Sequence, residues 1–143
     1  SWGFEIARRW GDGEGAALDR PSNNLFLGQD LDPGEEQERM LCQGPDWRLM
    51  RIESCASSSP EGSWYDQAEN EWLTLMRGSA TLQFKDPDEW VDLSVGDQLL
   101  IPAHRCHRLV RTDPHPGTLW LALYWTVNSI PPVLPLNQEG LNV

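Results

Sequence analysis

The chain has 143 residues, of which 39% are hydrophobic and 23% charged, and these values predict one soluble globular domain with a single core. Acidic residues outnumber basic residues by 22 to 11, and the net charge of -11 argues against nucleic acids and anionic membranes as partners. The three cysteines form no CxxC pair, which argues against a disulfide framework and predicts a cytoplasmic protein.

The N-terminal residues 1–20 are predicted to be an extension or linker, because Gly11, Gly13 and Gly15 alternate with two acidic residues. Residues 3–6, with the sequence Gly-Phe-Glu-Ile, are similar to the end of the small helical Nif11 leader-type domain. The chain also starts with Ser1 rather than Met. We therefore expect it to be the downstream part of a longer, two-domain protein.

Short apolar segments alternate with turn signals about every ten residues over the rest of the chain, and no segment has a sustained helical period. The predicted strands cover residues 38–43, 47–54, 71–77, 79–84, 90–93, 98–101, a segment that starts near His107 and ends by Thr112, and 118–127. This pattern predicts an all-β sandwich or barrel.

The strand predicted over residues 118–127 is almost continuously apolar, so both of its faces should be covered. The chain also has eight tryptophans, an unusual number for its length, and we interpret most of them as packing residues. The sequence therefore predicts a homodimer. The proline-rich tail over residues 131–143 cannot form a central strand or a helix, and it marks the end of the domain.

Two segments carry a spaced pattern of glycine, proline and ionisable residues. Glu71 is followed by six residues and Gly78, and Gly96 is followed by five residues, Pro102 and then His107. The chain resembles a cupin, whose two motifs are G-x5-H-x-H-x3,4-E-x6-G and G-x5-P-x-G-x2-H-x3-N. The resemblance implies a double-stranded β-helix, the cupin jelly-roll barrel, which we assign to residues 21–130.

The chain departs from these motifs at several positions. Trp64 and Asp66 stand where the first motif has its two histidines, His104 where the second motif has glycine, and Arg111 where it has asparagine. The segments Trp-Tyr-Asp-Gln at 64–67 and Ile-Pro-Ala-His-x-x-His at 101–107 are similar to those of a group of small bacterial cupins.

The cupin resemblance also implies a metal site. Cupins bind a divalent metal through three histidines and a glutamate that point into the barrel. At the matching positions of this chain, the resemblance implies Asp66, Glu71 and His107 as candidate ligands and His104 as a fourth. Two carboxylates and one or two imidazoles suit zinc, manganese, iron or nickel.

A metal-free interpretation is open at the same positions. Asp66, Glu71 and His107 could form a hydrogen-bonded cluster with Arg51 or Arg111, and His104 could be an exposed turn residue. His115 lies between two prolines and is expected in a solvated loop.

A small-molecule pocket is expected in either case. If Glu71 points inward, Leu73 and Leu75 follow it into the barrel, as Leu109 and Arg111 follow His107. Trp64 and Tyr65 could cover the ligand, and the planar guanidinium of Arg111 would pair with a carboxylate or phosphate.

Two functions are consistent with the cupin resemblance and the expected pocket. The first is a metal-binding cupin that acts on a small polar organic molecule such as a sugar, an acid or a sulfur compound, as an isomerase or a dioxygenase. There Asp66 would be a ligand or the general base. The alternative is a non-catalytic, metal-free cupin that serves as a small-ligand sensor or partner-binding module.

Overall fold

The computed structural model of the protein describes residues 24–127, and these residues form eight β-strands and no helix. The strands are β1 (Glu36–Gln43), β2 (Trp47–Ser54), β3 (Glu69–Arg77), β4 (Ala80–Phe84), β5 (Glu89–Leu93), β6 (Gln98–Ile101), β7 (His107–Thr112) and β8 (Thr118–Thr126). A five-stranded sheet has the order β1-β2-β8-β3-β6, and a three-stranded sheet has the order β5-β4-β7. The predicted all-β jelly roll is confirmed.

The strand bounds follow the turn signals closely. β2 and β6 have the predicted ends, and the other strands differ from prediction by one or two residues. The bends that separate them contain glycines in the left-handed region, such as Gly96 with φ +87° between β5 and β6. Its amide donates to the carbonyl of Leu75 at 2.8 Å, so this turn is fixed against β3.

The core lies between the two sheets. Trp120 of β8 pairs in register with Ile52 of β2 on one side and with Leu75 of β3 on the other. The buried apolar side chains that fill this space are Leu73, Leu75, Ala80, Leu82, Phe84, Leu93, Ile101, Leu109, Trp120 and Ala122. Leu73 and Leu75 are therefore inside the barrel, as the sequence predicts.

The outer face of β2 carries a buried charge cluster. Arg51 is only 1% exposed, and its Nη1 donates to Glu53 at 3.1 Å while its Nε donates to the carbonyl of Leu25 at 2.7 Å. Arg77 donates to the same Glu53 at 2.8 Å. Strand alternation puts Ile52 on the inner face, so Arg51 lies on the opposite face and cannot join the predicted cluster around Glu71.

Several predictions concern residues outside the described part of the chain. They are the N-terminal extension over 1–20 with its Nif11-like segment, the outermost residues of the domain assigned to 21–130, and the tail over 131–143. Within residues 24–127, no helix has the length and apolar character needed to cross a membrane.

Candidate functional site

A pocket with a volume of about 100 Å³ opens between the two sheets. Aliphatic, aromatic and polar side chains line it, and of these Glu36, Glu38 and Tyr65 are exposed to solvent at its mouth. The lining residues are Glu36, Glu38, Ile52, Tyr65, Gln67, Glu71, Leu73, Leu82, His107, Leu109, Trp120, Ala122 and Tyr124. An apolar interior with a few convergent polar groups is the usual construction of a small-molecule site.

Glu71 supplies the buried carboxyl group of the pocket. It lies on β3, between Ile101 of β6 and Tyr124 of β8, and it is 5% exposed. Gln67 Nε2 donates to its Oε1 at 3.1 Å. Burial raises the pKa of the Glu71 carboxyl, and hydrogen bonds from Gln67 and Tyr124 only partly oppose this effect. The protonated form of Glu71 is therefore favoured more than in water.

His107, the first residue of β7, supplies the imidazole and is 6% exposed. Its Nδ1 lies 2.9 Å from the backbone carbonyl oxygen of Arg105. Because a carbonyl oxygen can only accept, Nδ1 carries the proton, and in the neutral ring Nε2 keeps its lone pair. Burial lowers the pKa of His107 and so favours this neutral form.

Tyr65 and Gln67 approach the pocket from the loop before β3. Tyr65 forms an isolated antiparallel bridge with His107, and its ring centroid lies 5.5 Å from that of the imidazole. Tyr65, a predicted ligand-binding residue, therefore lies at the pocket. Gln67 was not predicted from the sequence, although it lies two residues from Tyr65 and therefore on the same face of an extended segment.

Trp64 and Asp66 are not among the residues that line the pocket. Trp64 lies against Lys85, whose Nζ is 5.1 Å from the centroid of the indole ring. Oδ1 of Asp66 lies 2.7 Å from Nδ1 of His104, and both side chains are more than half exposed. The bridge to His107 turns Tyr65 inward, so its two neighbours turn outward.

His104 occupies the turn before β7 with φ +63°. This left-handed conformation explains why glycine is expected at this position of the motif. The imidazole of His104 is exposed beside Asp66, and neither residue lines the pocket that contains Glu71. His115 is also exposed, in the turn between β7 and β8.

The expectation that Arg111 follows His107 into the barrel is wrong. The register between β4 and β7 pairs Leu82 with Leu109 but Thr81 with Arg111, so one extra residue is inserted in β7. A bulge of this kind reverses the alternation of side chains. Arg111 is exposed and donates to Asp113 at 2.9 Å.

The donor set of the pocket does not fit a three-ligand metal centre. Of the four candidate ligands only Glu71 and His107 line the cavity, since Asp66 and His104 pair outside it. Within residues 24–127 no group of three or more histidine, cysteine, aspartate or glutamate side chains is arranged to hold a metal ion. Other polar side chains that line the cavity are Tyr65, Gln67 and Tyr124, which favour hydrogen bonding, and Glu36 and Glu38 on β1.

Sequence reasoning also missed Tyr124, Glu36 and Glu38. Tyr124 has the one side-chain hydroxyl group between Thr118 and Thr126 of β8, and this was the available signal. Glu36 and Glu38 share one face of β1 with period two, and their register with Ser54 and Ile52 directs them toward the pocket. Nothing in the sequence alone relates β1 to Glu71.

Comparisons with solved structures give the following similarities. The crystal structure of a putative mannose-6-phosphate isomerase from Ralstonia eutropha JMP134 has 31% sequence identity and a TM-score of 0.69, and the match covers 73% of this chain and 97% of that one. A cupin superfamily protein from Desulfitobacterium hafniense DCB-2 has 18% identity and a TM-score of 0.59, with coverage of 77% and 93%. KdgF from Halomonas sp. has 20% identity and a TM-score of 0.55, with coverage of 70% and 87%. No protein-family model and no curated protein matches the chain.

Proposed function

The chain belongs to the cupin superfamily, and from this premise we propose that it binds a small polar organic molecule between its two sheets. Glu71 and His107 are the groups that hydrogen-bond the ligand. The observation that carries the proposal is that these two side chains, distant in sequence, are both buried and both line one open pocket.

The two groups have complementary hydrogen-bonding roles. Nδ1 of His107 is committed to the Arg105 carbonyl, so Nε2 is the nitrogen available to accept a proton or a hydrogen bond. The raised pKa of Glu71 favours a carboxyl group that can donate. A ligand that both donates and accepts, such as a molecule with adjacent hydroxyl or carbonyl groups, matches this pair.

This proposal does not depend on a metal. The sequence-based hypothesis included zinc, manganese, iron or nickel, but Glu71 and His107 provide only two of the usual three or four protein ligands. The non-catalytic alternative, a metal-free sensor or partner-binding module, is therefore the primary proposal. Elemental analysis of protein purified without chelators tests the metal-free proposal, and we expect no stoichiometric transition metal.

A second candidate is a proton-transfer isomerase, and the 31% identical structure favours it. Nε2 of His107 would take a proton from the hydroxyl-bearing carbon beside a carbonyl group while Glu71 protonates the carbonyl oxygen, which gives an enediol. The hydroxyl group of the first carbon would then return a proton to Glu71 as it becomes the new carbonyl, and Nε2 would give its proton to the former carbonyl carbon. Among residues 24–127 no lysine or arginine lines the pocket, so these residues offer a phosphorylated sugar no cationic partner there. Solvent deuterium incorporation into unphosphorylated aldoses and ketoses tests this candidate.

The binding proposal is tested by ligand-observed NMR with a library of small polar compounds. Compounds that bind the wild type should bind Glu71→Gln and His107→Asn more weakly. Their affinity should be unchanged in the control Glu89→Gln, because the carboxylate of Glu89 is exposed and pairs with Arg105. If no compound binds, or if the two pocket variants bind as well as the wild type, the proposal is wrong.

The homodimer and the cytoplasmic location remain proposals. Supporting the first, the outer face of the five-stranded sheet presents partly exposed apolar side chains on three adjacent strands. They are Trp47, Leu49, Trp72, Leu121, Leu123 and Trp125. Supporting the second, all three cysteines of the chain are free thiols, which a reducing compartment preserves.

A further inference from the structure

Within residues 24–127, the charged side chains that line the pocket are carboxylates. Glu36 and Glu38 line it beside the buried carboxyl group of Glu71, and no lysine or arginine of this described part of the chain does. Glu36 accepts a hydrogen bond from Ser54 Oγ at 2.9 Å, and no side-chain hydrogen bond of Glu38 is present within the described part of the chain. An anionic ligand would be repelled from this mouth, and a neutral ligand would leave its carboxylates without a counter-charge.

Two arginines beside pocket residues, Arg48 and Arg105, form ion pairs with carboxylates that do not line the pocket. Arg48 stacks on the ring of Tyr124 with 4.4 Å between the guanidinium carbon and the ring centroid, and it donates to Glu69. Arg105 pairs with Glu89. Burial is the main cause of the raised pKa of both Glu71 and Tyr124, and the charge of Glu38 raises both pKa values further while that of Arg48 lowers them.

Aromatic rings form the second part of the lining. Tyr65, Trp120 and Tyr124 all face the cavity. Nε1 of Trp120 donates to Ser54 Oγ at 3.2 Å, so its polar group is satisfied and its apolar surface remains for the ligand. Rings whose faces carry partial negative charge, together with carboxylates, are the groups that recognise organic cations.

One further polar atom points to a ligand. His107 is 6% exposed and lines the cavity, and within residues 24–127 its Nε2 has no hydrogen-bond partner. A neutral imidazole adds no positive charge to the site, and its lone pair can accept a hydrogen bond from a ligand hydroxyl or ammonium group.

We propose that the ligand of this pocket is a small organic cation, an amine or a quaternary ammonium compound, whose charged group lies among the aromatic rings and glutamates of the mouth. This inference rests on the proposed function and specifies the class of molecule that is bound. The polar end of the ligand reaches inward to Glu71 and His107.

The test is isothermal titration calorimetry with two probes of almost the same shape. Choline carries a quaternary ammonium group, and 3,3-dimethylbutan-1-ol replaces its nitrogen by carbon and is neutral. We expect choline to bind about ten-fold more tightly than the neutral alcohol, since one desolvated cation–π contact is worth about that factor. In Glu38→Gln the preference should fall by several-fold, and in the exposed control Glu89→Gln it should not change.

The possible outcomes distinguish a failure of the organic-cation proposal from a failure of the proposed function. If the neutral alcohol binds as tightly as choline, the pocket binds small molecules but does not select cations, and only this inference is wrong. The same holds if sorbitol or acetate binds more tightly than choline. If neither these probes nor any library compound binds, the proposed function fails as well.

Discussion

Tyr65 and His107 exchange both of their backbone hydrogen bonds, at 2.7 Å from the Tyr65 amide and 3.1 Å from the His107 amide. This bridge attaches the loop before β3 to the start of β7 and sets which of its side chains face the pocket. It places the ring of Tyr65 beside the imidazole of His107 and leaves Trp64 and Asp66 outside.

A first prediction compares Tyr65→Ala with Trp64→Ala. Removing the Tyr65 ring exposes the imidazole to water, and because burial is the main cause of the lowered pKa of His107, that pKa should rise toward 6.5. Titration of the His107 ring proton by NMR measures it. Trp64→Ala should leave the titration unchanged, and an equal response to the two variants would contradict the inward position of Tyr65.

A second prediction concerns stability on the acidic side. The pKa of His107 is lowered from 6.5, so below pH 6.5 the unfolded chain binds a proton that the folded protein does not. The free energy of unfolding should therefore fall as pH drops from 6.5 toward the folded pKa of His107. In His107→Asn this part of the pH dependence should disappear, and in the exposed control His115→Asn it should persist. Urea unfolding at several pH values measures both.

Ionisation of Glu71 should change the free energy of unfolding with pH in the opposite direction. Its pKa is raised above 4.5, so the folded protein keeps a proton that the unfolded chain has lost, and stability should fall as pH rises from 4.5 through the folded pKa. Glu71→Gln should be more stable than the wild type above that window and lose its advantage near pH 4.5. A Gln variant that is less stable at every pH would mean that the carboxylate itself stabilises the fold.

A third prediction concerns the charge cluster on the outer face of β2. Glu53 is 6% exposed and accepts from both Arg51 and Arg77. Glu53→Ala leaves Arg51 buried without its carboxylate partner, and such losses cost about 3–5 kcal/mol. The matched control Glu89→Ala removes an exposed ion pair with Arg105 and should cost about 0–1 kcal/mol. Denaturant unfolding of the two variants measures the difference, and equal costs would contradict the prediction.

A fourth prediction tests the homodimer. Leu123 lies on the outer face of the five-stranded sheet, opposite Leu49 and Trp72 in register. If this face forms the dimer, Leu123→Glu buries a charge in the interface and should give a monomer. Val95→Glu, in an exposed turn, is the control and should remain dimeric. Light scattering measures both, and a monomeric wild type at high concentration would rule the dimer out.

The fold could be predicted because its signals are local. Turn residues separate the strands, and the apolar run of β8 identifies the central strand of the larger sheet. Glu71 and His107 were found because motif spacing fixes their strands, and alternation within a strand then fixes the face. Both side chains line the pocket, as that reasoning requires.

The other residues of the site could not be placed from the alternation of side chains along a strand. Counting back from Glu71 to Asp66 crosses residues outside β3, where the period of two no longer holds. The bulge in β7 turns the side chain of Arg111 outward, and no residue type in that segment predicts a bulge. Tyr124 and Glu38 reach the pocket through pairing between distant strands, which a single sequence does not reveal.

The central claim is that Glu71 and His107 hold an organic ligand without a three-ligand metal centre. The most direct test is a crystal structure of untreated protein, with anomalous data collected at the absorption edges of the transition metals. We expect ordered water or a small organic molecule within hydrogen-bonding distance of the Glu71 carboxyl group and of His107 Nε2, and no anomalous peak. A strong anomalous peak about 2.0–2.2 Å from both side chains would contradict it.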